Sequence, residues 1–164
     1  MNFRIEKKDS FTIMGLSGYS EVGIPWEESL WGIFLDGGSG PDGSGSFNQA
    51  LLAYYSEPFH QIGAYDFQSV DGKTPTIIGA EYKGKKPEIE GLSFKEIPAA
   101  TWAVFSIKGE TGSAYPAAWA RILTEWLPQS NYIRNEAVPN LDSYPGGKIN
   151  DDYVWEIWFP ILNK

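Results

Sequence analysis

Apolar and polar residues alternate from Phe3 to Lys8, the period-two pattern of a half-buried strand. Phe11 to Tyr19 is a second extended stretch, and Asp9-Ser10 offers a turn between the two. The period then changes. Pro25-Trp26-Glu27-Glu28 suits the first turn of a helix, with acids near the positive end of the macrodipole. Leu30, Trp31, Phe34 and Leu35 follow at helical spacing. Phe47 to Tyr55 predicts another helix. His60 to Gln68 and Thr76 to Tyr82 predict two strands, with Asp71-Gly72 in their connection. A second round begins with a strand at Thr101 to Ile107. The helix expected over Ala114 to Leu127 has Pro116 in its first turn and Pro128 past its end, with Trp119, Ile122, Leu123 and Trp126 as its apolar stripe. Leu141 to Tyr144 reads as a short strand, Pro145-Gly146-Gly147 as a turn, and Tyr153 to Ile161 as the last strand.

The two rounds share an order of strand, helix, strand, strand, with a Trp early in each helical stripe, Trp31 and Trp119. This is a repeat of pattern rather than of residue identity. It predicts an α+β fold: a tandem, pseudo-twofold repeat over about residues 1–90 and 91–164, with helices packed on antiparallel sheets. The groove between such units is a natural ligand cleft.

Composition narrows the function. A chain of 164 residues fits one domain or two closely packed halves. The net charge of −8 argues against nucleic-acid binding, which needs basic surface against phosphates. Aromatic residues reach 15%, enough both to fill a core and to line a pocket. With no cysteine, disulfides and thiol chemistry are excluded. The charged start, Met1 to Asp9, does not read as a signal peptide, and no run has the length of a membrane span. A cytoplasmic protein is expected. Gly37 to Ser46 reads as a surface loop and lacks the Gly-Lys-Ser/Thr ending of a phosphate cradle.

His60 is the single histidine, and no acidic cluster has calcium-loop or zinc spacing, so neither a metal nor another cofactor is expected. The candidate chemistry lies in Tyr153-Val154-Trp155-Glu156-Ile157-Trp158-Phe159-Pro160. A carboxylate in so apolar a strand is either solvated or buried, and a buried charge needs a partner. Strand parity puts Val154, Glu156 and Trp158 on one face and Tyr153, Trp155, Ile157 and Phe159 on the other. The second set reads as the core face, leaving Glu156 and Trp158 to face solvent, a cavity or the other half. Glu81 is the corresponding acid of the first round, in a less apolar setting. Tyr65 and Phe67 share a strand face, and Trp102 opens a strand of aliphatic residues.

Three stretches resemble a known family. Glu96-Ile97-Pro98-Ala99-Ala100-Thr101-Trp102-Ala103-Val104-Phe105 is similar to a signature of GyrI-like, AraC-type effector-binding domains. Trp119 to Pro128 resembles that family's helix, Asp151 to Pro160 its closing strand, and Leu30-Trp31 with Phe34 its first helix. The resemblance implies two strand-helix-strand-strand units (the tandem SHS2, or SOUL-like, arrangement) about a pseudo-twofold axis. It implies a standalone form that binds bulky, aromatic or cationic small molecules between the units and has no DNA-binding segment of its own. The family glutamate maps onto Glu156 as counter-charge, and Trp31, Tyr65, Trp102, Trp158 and Tyr144 are the aromatic candidates. Two alternatives accompany this reading. One is a hydrolase that opens cyclopropane rings with Glu156 as base, assisted by a Tyr or Glu81. The other is a gyrase-inhibitor-like protein-interaction module.

Overall fold

The computed structural model describes residues 1–36, 46–146 and 150–164. Nearly all of the Gly/Ser-rich stretch, and Gly147 of the expected turn, fall outside them. The strands are β1 (Phe3–Lys8), β2 (Phe11–Ser20), β3 (His60–Tyr65), β4 (Thr74–Glu81), β5 (Ser93–Ile97), β6 (Ala100–Lys108), β7 (Tyr132–Arg134), β8 (Asn140–Pro145) and β9 (Val154–Asn163). They form one antiparallel sheet in the order β1-β6-β9-β8-β3-β4-β2-β5, with β7 added beside β9. Read from either end, this order runs edge strand, second strand, last strand, third strand of a unit. The pseudo-twofold axis therefore lies between β8 and β3.

The first two strands do not form a hairpin with each other. β1 pairs with β6, whereas β2 pairs with β4 and β5. Asp9-Ser10 lacks the glycine that tight hairpin turns favour, so nothing local holds β1 against β2. Each unit thus lends its leading strand to the other, and neither sheet half is complete alone.

Three helices lie on one face: α1 (Leu30–Asp36), α2 (Phe47–Leu51) and α3 (Thr111–Arg121). Ser46 begins α2 through a capping box with Gln49. Glu110 caps α3, its carboxylate accepting from the N–H groups of Gly112 and Ser113, which lowers its pKa. The α3 helix runs on through a π-helical segment, Ile122–Trp126, to Leu127–Gln129. Pro116 and Pro128 thus both sit inside a longer helix than the sequence pattern marks.

The faces of the sheet have separate cores. Under α1, Phe34, Leu51 and Tyr55 pack on Met14, Ile78 and Ala80. Under α3, Ile122 packs on Phe105, Trp155, Ile157 and Phe159. On the opposite face Phe11, Ile13 and Ile97 share a core with Trp102 and Val104. Four strands lie between β2 and β6 in the sheet order, so their contact requires the sheet to curl around this core. The helices ride on the convex side, one over each half. The middle strands, β3 and β8, are left between them.

Candidate ligand-binding site

Alternation along β3 and β8 decides what this gap contains. Gln61, Gly63 and Tyr65 pair with Tyr144, Asp142 and Asn140. Ile62, Ala64 and Leu141, at the intervening positions, point into the opposite core. The floor between the helices is therefore polar, and the walls are aromatic. Trp31 and Leu35 come from α1, and Tyr115 and Trp119 from α3. Together they bound a cleft of about 1440 Å³, larger than the roughly 1,000 Å³ that encloses most drug-sized ligands.

Asp142 is the centre of the floor and is only 1% exposed. Burial raises its pKa from 3.8 to about 7, against the opposing influence of the hydroxyls of Tyr65, Tyr115 and Tyr144. Its Oδ1 has no hydrogen-bond partner among the described residues. The indole N–H of Trp31 donates to the Tyr65 hydroxyl at 2.7 Å, which leaves the Tyr65 proton free to turn toward the carboxylate. Burial and the nearby negative charge in turn raise the pKa values of Tyr65, Tyr115 and Tyr144, so the phenols remain donors. Gly63 makes room for this arrangement. A Cβ there would stand 2.7 Å from the Tyr65 hydroxyl and 2.8 Å from Trp31.

Trp155 supports the tyrosines from beneath. Tyr144 stacks on it at 5.5 Å and Tyr115 at 6.0 Å, while Trp31 meets Tyr144 edge-on at 5.7 Å. Trp119 extends the wall toward Phe159. Two strands and two helices thus hold these rings, so the cleft has a largely fixed shape.

The sequence-predicted residues divide between the two faces. Trp31, Tyr65 and Tyr144 line the cleft. Glu156, Trp102 and Trp158 lie on the other side of the sheet. Ser143 pairs with Glu156 and Leu141 with Trp158, while Asp142 pairs with Ile157, so Glu156 stands back to back with the cleft floor. Its partner is internal: Arg4 donates to it at 2.7 Å, and the Trp158 indole donates to it at 2.9 Å. The strand exchange delivers that arginine, since β1 lies against β6, and β6 against β9. Trp102 is fully buried and meets Trp158 edge-on. The carboxylate expected to serve as counter-charge or base thus lies outside this cleft, with its charge already partnered by Arg4. Glu81 pairs with Lys8 at 3.4 Å, and His60 faces Ser143 on the Glu156 side.

Asp142, Tyr115 and Arg134 also line the cleft without being marked by the sequence pattern, and Trp119, marked only as part of a helical stripe, joins them. A signal existed for Asp142: aspartate is as out of place in a central strand as glutamate, and Asn140, Asp142 and Tyr144 alternate with apolar or small residues. Tyr115 and Trp119 were indistinguishable from a core stripe.

A curled antiparallel sheet that holds a buried acid beneath aromatic walls, between two helices, defines a small-molecule binding domain. The sequence agrees over almost its whole length: residues 1–162 match the GyrI-like small molecule binding domain, and the chain belongs to that family. SAV2435 bound to tetraphenylphosphonium is similar in fold, with a TM-score of 0.69 at 17% identity, covering 99% of this chain and 94% of that one. The EcmrR C-terminal domain is similar as well, with a TM-score of 0.68 at 15% identity, covering 99% of this chain and 98% of that one. A DNA gyrase inhibitor of Erwinia billingiae is 31% identical over 91 residues, 54% of this chain and 57% of that protein. The match thus spans little more than half the length of that curated relative. Among the described residues no helix is long and apolar enough to cross a membrane.

Proposed function

We propose that the cleft binds bulky aromatic compounds that carry a positive charge, with Asp142 as counter-charge and Trp31, Tyr65, Tyr115 and Tyr144 as walls. One observation carries the reading: a buried carboxylate with an unpartnered oxygen beneath a large aromatic cleft. A cation placed there gains an opposite charge at low dielectric and the faces of several rings. The same contact favours the ionised carboxylate, so binding is expected to release a proton near neutral pH. The cargo of SAV2435, tetraphenylphosphonium, combines a positive charge with four aromatic rings and supports the reading by analogy of fold.

Calorimetric titration with tetraphenylphosphonium and with neutral triphenylphosphine oxide tests it. Asp142→Asn is expected to weaken the cation about 10- to 100-fold, the equivalent of losing a charged contact worth ~1.5–3 kcal/mol. The neutral probe is expected to change by no more than about twofold. In the wild type, affinity for the cation is expected to rise between pH 6 and pH 8 as the carboxylate ionises near 7. Equal losses for both probes would remove the counter-charge role. No binding of either probe to the wild type would remove the reading altogether.

A further inference from the structure

Asp142 is not the only unsatisfied polar group in the cleft. Seven side-chain polar atoms are buried without a hydrogen-bond partner among the described residues, and four belong to residues lining this cavity: Trp119 Nε1, Arg134 Nε, Asn140 Oδ1 and Asp142 Oδ1. Folded proteins leave few such atoms, and those they leave call for a reason. All four belong to residues that line the cavity, so its lining is polar at Arg134 and Asn140 as well as at Asp142.

Arg134 is the cationic one of these residues. Its guanidinium lies 4.2 Å from the Phe67 ring centroid and 5.5 Å from that of Phe159, so the cation is seated against two aromatic rings. It forms no ion pair among the described residues. Burial lowers its pKa, and Glu136 opposes that shift. The pKa of Asp142 is set by burial and by three tyrosines. Arg134 and Asp142 form no ion pair with each other among the described residues, so neither charge is directly neutralised by the other. Asn140 lies two residues from Asp142 on the same face of β8, about 6.6 Å along the strand, and pairs with Tyr65. The polar floor therefore runs on from the acid as an amide, and a cation completes the lining.

We infer that the cleft has two poles and that its preferred ligands are amphoteric: an aromatic body with a cationic group at Asp142 and a carboxylate or similar oxyanion at Arg134, with the Asn140 amide beside it. This rests on the reading of the cleft as a ligand site and adds the anionic half of the ligand. A guanidinium presents paired donors to a carboxylate, a contact that a lipophilic cation cannot use.

A rhodamine dye supplies the test, as its ethyl ester, a monocation, and as its free acid, a zwitterion on the same xanthene frame. Fluorescence anisotropy at pH 8 gives both affinities for the full chain, with tetraphenylphosphonium as a third probe. The wild type is expected to bind the zwitterion at least as tightly as the ester. Arg134→Met keeps an apolar chain between the two rings. It is expected to weaken the zwitterion about tenfold, near 1.4 kcal/mol, and to change the ester by no more than about twofold. Arg134→Lys is expected to restore much of the zwitterion's affinity. If Arg134→Met does not fold, the wild-type preference and the lysine variant decide the matter. A wild type that favours the ester tenfold, or an Arg134→Met variant that weakens both dyes equally, overturns the second pole. Tetraphenylphosphonium binding that depends on Asp142 would then still stand. Failure of all three probes to bind would overturn the cleft reading and this inference together.

Discussion

Asp142 and Glu156 are carboxylates on adjacent strands, set back to back across one sheet. Glu156 has a 19% exposed side chain, an arginine and an indole N–H. Asp142 is buried more deeply, under phenols that favour its charge while one oxygen remains unpartnered. An acid whose needs are met within the chain holds the fold together. One whose needs are left open is available to something else. The difference follows from position: Glu156 faces the side on which β1 delivers Arg4, and Asp142 faces the gap between the helices.

The largest effect expected from this contrast is on stability as pH changes. The carboxyl of Asp142 binds a proton more tightly in the folded than in the unfolded chain. Between about pH 4 and pH 7 the folded state therefore carries more protons, and stability falls as pH rises through that window. The fall is on the order of 4 kcal/mol, for a shift from 3.8 to about 7. Denaturant titrations across this range, with Asp142→Asn in parallel, measure it; a variant that kept the full slope would assign it to other groups. A smaller effect is expected from Gly63→Ala, whose methyl group would press on the Tyr65 hydroxyl and Trp31. A loss of roughly 1–3 kcal/mol is expected, with weakened tetraphenylphosphonium binding in the same preparation. Undisturbed binding would show that the Trp31–Tyr65 contact does not shape the cleft. Glu156→Gln gives the smallest effect. Its partner Arg4 is nearly half exposed, so about 0.5–1 kcal/mol of stability is expected to be lost, and ligand affinity to stay within about twofold. A large loss of affinity in that variant would erase the distinction between the two acids.

Much of this arrangement is legible in the chain. Periodicity marks the repeat, the main helices and most strands, and parity separates Glu156 and Trp158 from Trp155 and Phe159. Parity does not say which face holds a cleft. The apolar set on β9 reads as core because it is core under α3, yet the same face opens into the cleft one strand away, over Asp142. That opening depends on how far apart two helices sit on a curved sheet, a tertiary quantity with no local signal. The partner of Glu156 was hidden for a similar reason. Arg4 lies 152 residues away and reaches it through a strand exchange that Asp9-Ser10 does not announce. Short β5 and β7 carry too few residues to show a period.

The exchange of leading strands also bears on how the protein is made. With β1 on β6 and β5 on β2, the sheet closes only after the second half of the chain has been synthesised. A nascent first unit lacks its outer strand, and its own β1 waits without a neighbour. Pairings this distant in sequence form slowly. The cleft floor needs β8 from the second half beside β3 from the first. A ligand that recognises the floor thus selects chains that have finished folding, and its presence during synthesis would pull the population toward them.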